Sequence, residues 1–176
     1  MRRILLAAFA ALAFGIAADS APTEVAVRLK WEYRSMAPAM KVYAVAPGAK
    51  ATLWKTGSVG GLAELPLGEE LTDRPVSVTA GGSRRLILVY ENRTAAPVYF
   101  FAAPHHAEPE ESALGFQFKC LCVNHAFDVS PGRFWFRVVE LRVAPGFQGR
   151  ELALSHTLIG IDEARRREFS GPPEVD

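Results

Sequence analysis

The sequence predicts an all-β sandwich. Apolar and polar residues alternate in short runs from Thr23 onward, Gly and Pro pairs punctuate those runs, and no internal run has a helical period. Composition agrees: 49% hydrophobic and 22% charged residues support a real core in a chain of 176.

The runs follow in order. Val25, Val27, Leu29 and Trp31 alternate with polar or small residues and predict a half-buried strand. Val42–Val45 leads into the turn pair Pro47-Gly48, and Ala51–Trp54 reads as a short strand. Residues 55–70 read as a loop, because Gly57, Gly60, Gly61 and Pro66 interrupt them. Pro75–Val78 is a short strand before the Gly81-Gly82 turn, and Arg85–Tyr90 is a strongly apolar one that ends at Glu91-Asn92. Pro97–Phe101 follows. Gly115–Val123 places Phe116, Phe118, Cys120 and Cys122 on one side. In the long run Arg133–Val143, Phe134, Phe136 and Val138 oppose Trp135, Arg137 and Val139. Leu152–Ile161 closes the set, Asp162–Phe169 reads as helical, and Gly171–Asp176 as a disordered end. The organisation is a leader over 1–21, a sandwich domain over 22–162 and a flexible tail over 163–176.

The leader has an export pattern. Arg2 and Arg3 precede 15 apolar or small residues, Ile4–Ala18. A spanning helix wants about 20 apolar residues, so a cleaved signal peptide and an uncleaved membrane anchor both stay open. Gly15 with Ala17, or Ala18 with Ser20, suit a cleavage site. Either way the domain is expected outside the cytoplasm, in the periplasm or on the periplasmic side of the inner membrane.

Charge and motifs exclude several classes. Lys plus Arg is 20 against 19 acidic residues, which argues against a nucleic-acid binder. The chain has no Walker loop, G-x-G-x-x-G, H-E-x-x-H or G-x-S-x-G motif. No enzyme is expected.

The informative site is Cys120-Leu121-Cys122, which holds the chain's two cysteines. On one strand, alternation points both thiols to the same face, with Cα atoms roughly 6.5–7 Å apart from a rise of about 3.3 Å per residue. That is the outer limit for an unstrained disulfide, and so short a loop adds little stability. Two converging thiolates suit a soft metal, copper(I) above all. At metal–sulfur distances of roughly 2.3 Å the two sulfurs sit about 4.6 Å apart or less. A redox dithiol and a pair of buried core cysteines are the other readings. His125, three residues on, is a candidate third ligand. Adjacent histidines on a loop can bind copper(II), but His105-His106 reads first as a polar loop; Met36 and Met40 read as packing residues whose soft thioethers could assist copper(I), and His156 as structural.

The order of these features resembles the CtaG-type assembly factor of cytochrome c oxidase, a copper-inserting family. That family has a hydrophobic N-terminal segment, an Asn-centred turn, a Pro-Val strand, a C-F-C-F motif, an L-x-P-G turn and an L-S-Y-T strand. The matching pieces are Asn92-Arg93, Pro97-Val98, Phe118-Lys119-Cys120-Leu121-Cys122-Val123, Val129-Ser130-Pro131-Gly132 and Leu154-Ser155-His156-Thr157. They span about residues 70–162. Leu121 and Val123 replace the motif phenylalanines, and Asn124-His125-Ala126 replaces an acidic run. The resemblance implies an immunoglobulin-like β-sandwich that carries copper(I) on Cys120 and Cys122. It also implies passage of the metal to an acceptor protein, an oxidase subunit, with a homodimer able to share the metal.

Overall fold

The computed structural model describes residues 23–121 and 125–169. The expected leader, Cys122 and the last residues lie outside that range. The strands are β1 (Glu24–Arg34), β2 (Met40–Val45), β3 (Thr56–Val59), β4 (Leu67–Glu70), β5 (Val76–Thr79) and β6 (Ser83–Glu91). They continue with β7 (Val98–Ala102), β8 (His106–Glu108), β9 (Phe116–Lys119), β10 (Phe127–Val129), β11 (Phe134–Val143) and β12 (Glu151–Ile161). One short helix, α1 (Glu163–Glu168), follows.

These strands form two sheets, so the molecule is an all-β sandwich. The first sheet runs β10-β7-β12-β1-β5, with β8 also on β12; the second runs β3-β11-β6-β2-β4, with β9 also on β11. The first and last strands lie side by side and parallel, in register from Ala26 against Glu151 to Arg34 against Ile159.

Alternation does its expected work in the first sheet. Val25, Val27 and Leu29 of β1 turn inward, as do Leu152, Leu154, His156 and Leu158 of β12. The second sheet is covered on both faces, which explains the unbroken apolar run of β6. Leu86, Leu88 and Tyr90 enter the main core with Trp135, Val139 and Leu141 of β11. Ile87, Val89, Phe136 and Val138 enter a second core under Tyr43 and Ala51, flanked by Leu62, Leu65 and Leu67. Each such buried aliphatic side chain contributes roughly 1.5–3 kcal/mol.

The sequence reading needs correction in three places. Ala51–Trp54 is a turn, because Trp54 sits at φ 68° and cannot extend. The expected loop over 55–70 contains β3, a turn of 3-10 helix at Leu62–Glu64, and β4. The strand expected over 115–123 stops at Lys119, so Cys120 lies in a bend beyond β9. Strand alternation therefore does not set the direction of the Cys120 side chain.

Asn92 ends β6 where the turn was expected, and it is buried. Its amide donates to the Ala96 and Val129 carbonyls at 2.8 Å each, and its oxygen accepts from the Thr94 N–H at 2.9 Å. Helix α1 lies in the range assigned to the tail. The Asp162 side chain caps it by accepting from the Arg165 N–H. Arg166 reaches Asp128 of β10 at 3.0 Å, and Phe169 stacks on Phe101. Among the described residues, no helix is long and apolar enough to cross a membrane.

Candidate metal centre

Three elements bring a sulfur and two imidazoles together inside the sandwich. Cys120 is fixed where β9 ends, with only 2% of its surface exposed. Its carbonyl accepts a 3.0 Å hydrogen bond from the Arg137 Nε–H. Arg137 is itself buried on β11, donates from Nη1 to Thr56 Oγ1 and lies over the Trp54 ring at 4.7 Å. Burial pushes the guanidinium below its ordinary pKa, and charge on Cys120 works in the opposite direction.

His156 comes from the middle of β12, at an inward position between Leu154 and Leu158. It is fully buried, and neither ring nitrogen has a hydrogen-bond partner among the described residues. Its ring stacks on Trp31, its neighbour across the parallel pair, with centroids 5.3 Å apart and planes 17° from parallel.

His105 is delivered by an irregularity in strand pairing. β12 pairs with β7 at Leu158 against Ala102, then with β8 at Ser155 against His106. The β7–β8 side thus has one residue more than the β12 side. Such an extra residue bends the chain and re-aims a side chain. The Ala103 N–H still donates to the Thr157 carbonyl at 2.9 Å, which pins the start of the bulge. His105 then lies edge-on to His156, with centroids 5.1 Å apart. Its Nδ1 is 3.7 Å from Cys120 Sγ. Phe116 and Phe118 wall the pair, with ring centroids 5.6 and 6.0 Å from that of His105.

The candidate ligand atoms of His105, Cys120 and His156 all lie within 4.8 Å of one another. Two donors at roughly 2.0 and 2.3 Å from one metal, about 120° apart, are separated by about 3.7 Å. The Cys120–His105 distance already has that value. The surface clefts beside Pro145 and beside Thr52 are lined by none of the three residues.

The other candidates from the sequence fall elsewhere. Cys122 lies outside the described residues. His125 is partly buried against the Phe127 ring and is not part of the converging group. His106 is exposed on β8. Met40 is in the main core at the start of β2, and Met36 packs beside it. Met36 also lies against Gly160, where any side chain would collide with the Ser35 carbonyl. Sequence reasoning gave His105, with His106, only a secondary copper(II) reading and took His156 as structural, so it selected neither as a site residue. For His156 a signal existed, since Leu152-x-Leu154-x-His156-x-Leu158 places an imidazole in an aliphatic row.

A sulfur and two imidazoles enclosed by a β-sandwich define a protein with a candidate interior site for a soft or borderline metal. Residues 25–161 match a family model described as a domain of unknown function, DUF8709, and the chain belongs to that family. No curated protein matches it.

Proposed function

We propose that this protein is an exported copper(I) carrier that assists copper insertion during assembly of a respiratory oxidase. The observation that carries the proposal is the burial of the Cys120 sulfur within ligand reach of two imidazoles, one of them without a partner among the described residues. Thiolate and imidazole together suit copper, and the sulfur selects against hard cations. The resemblance to CtaG-type factors supplies the acceptor, an oxidase subunit, and the second cysteine, Cys122. No chemistry beyond ligand exchange is required, so the protein is not an enzyme on this reading.

A second reading takes the 3.7 Å contact of Cys120 with His105 as an activated thiol, in a thiol–disulfide protein acting on copper-site cysteines. Burial of Cys120 speaks against it, because an attacking thiolate needs access.

The test is copper(I) titration of the purified protein under reducing, anaerobic conditions against a competing chelator. One copper per chain is expected, with loss of binding in Cys120→Ser. Full retention in the Cys120→Ser, Cys122→Ser double variant overturns the carrier. In a strain lacking the protein, oxidase activity should fall and added copper should restore it.

A further inference from the structure

We infer that His105, Cys120 and His156 form one metal site, of one thiolate and two imidazoles, that keeps copper in both of its oxidation states. The inference rests on the copper reading above and goes beyond it in ligand set and in redox range.

Two independent observations converge. The first is geometric: the Cys120 Sγ to His105 Nδ1 distance of 3.7 Å equals the separation expected of two ligands around a three-coordinate metal. With all donors within 4.8 Å, the other pairs need to draw in by about 1.3 Å at most, since two nitrogens at roughly 2.0 Å from a three-coordinate metal lie about 3.5 Å apart. The second is the state of His156. A fully buried imidazole without a partner among the described residues carries an uncompensated desolvation cost. A metal on one of its nitrogens removes much of that cost. Trp31 stacks on the ring, and the Phe118 ring centroid lies 5.6 Å from that of His156.

The ligand set decides the oxidation states. Thiolates alone favour copper(I), whereas imidazole suits copper more broadly, and one thiolate with two imidazoles is a set that holds copper(I) and copper(II) alike. Two thiolates without imidazoles have another fate. Two copper(II) ions oxidise two thiols to a disulfide, releasing two protons and leaving two copper(I) ions. Here the imidazoles come from β12 and the β7–β8 bulge in one sheet, and the sulfur from the end of β9 in the other. The two sheets carry the donors on separate strands, and the walls of Trp31, Phe116 and Phe118 are aromatic.

The experiment adds one equivalent of copper(II) to the reduced, metal-free protein after the reductant is removed, without air. An intense visible thiolate-to-copper(II) band is expected, with one copper per chain kept through desalting. Ascorbate should bleach the band without copper loss, and ferricyanide should restore it. Cys122→Ser should keep the band and Cys120→Ser should lose it. His105→Ala, a loop change, and His156→Phe, which keeps a ring against Trp31, should both lose the band. Each should lower copper(I) affinity by at least ~10-fold, the lower end of effects seen even for groups that merely support ligands. Circular dichroism confirms that each variant is folded. Conversion of chains to a Cys120–Cys122 disulfide with copper release, at most half of them with one equivalent of copper(II), overturns this inference and leaves the copper(I) carrier standing. Wild-type copper(I) affinity in both histidine variants overturns the ligand set in the same way. Failure of the unaltered chain to retain copper in either state overturns the site and the carrier together.

Discussion

The Trp31 indole lies almost flat on the His156 imidazole, and the two residues face each other across the parallel pair of β1 and β12. The stack fixes the ring plane of the one candidate ligand that has no hydrogen bond to orient it among the described residues. Trp31→Phe should therefore keep copper(I) affinity within a fewfold. Trp31→Ala should lower it by ~10-fold or more, the usual effect of removing a group that orients a ligand. Chelator competition on both variants measures this. Equal affinity in both would show that the stack does not position His156.

His156→Leu should bind copper(I) at least ~10-fold more weakly yet be more stable than the metal-free parent. Leucine continues the row of Leu152, Leu154 and Leu158 and removes two polar atoms that lack partners among the described residues. A gain of about 1 kcal/mol is expected, the lower end of the cost of a buried unsatisfied group. Denaturant midpoints of the two metal-free proteins decide it. A loss of stability would make the imidazole a structural residue.

Asn92→Ala should cost about 1–3 kcal/mol, because the buried Asn92 side chain ties the Val129 carbonyl to the Ala96 carbonyl and the Thr94 N–H. Thermal unfolding is the measurement, and an unchanged midpoint would contradict the role assigned to the turn.

Glu140 sets an acid limit. Burial alone pushes its carboxyl up, but hydrogen bonds and charge from Arg142 and Arg85 outweigh it and hold the pKa below the ordinary 4.5. A carboxylate lowered by folding contributes stability above its unfolded pKa and loses it as pH falls through the folded one. Stability should therefore decline below about pH 4.5, the ordinary value. Glu140→Gln should flatten that decline. It should also cost about 1 kcal/mol at pH 7, a modest figure because both arginines are half-exposed and screened. Unfolding curves across pH 3–7, a range that brackets the reference carboxylate values, check both statements.

The sheets were largely legible because period-two alternation in β1 and β12, and the apolar run of β6, are direct consequences of one-sided and two-sided burial. The stretch 51–70 was not legible. Trp54 adopts a conformation that tryptophan rarely takes, while Gly57, which reads as a breaker, sits in β3 against the Phe136 ring. At the site, Cys120 stood out by residue type and His156 was present in the alternation. The His105-His106 pair was visible as candidate copper ligands, but the direction of His105 was not readable, since it follows from a single extra residue between two short strands. That offset belongs to strand pairing, and pairing is decided by parts of the chain distant in sequence.

The side-by-side parallel course of β1 and β12 has a mechanical consequence. Tension applied at the start of β1 and the end of β12 pulls the two strands past each other along their length. Nine register pairs, from Ala26 with Glu151 to Arg34 with Ile159, then bear the load together rather than one after another. Peeling is slow under such shear, and the pair formed by Trp31 and His156 sits inside the loaded stretch. A domain tethered at one end while a partner tugs at the other would keep that part of its interior undistorted.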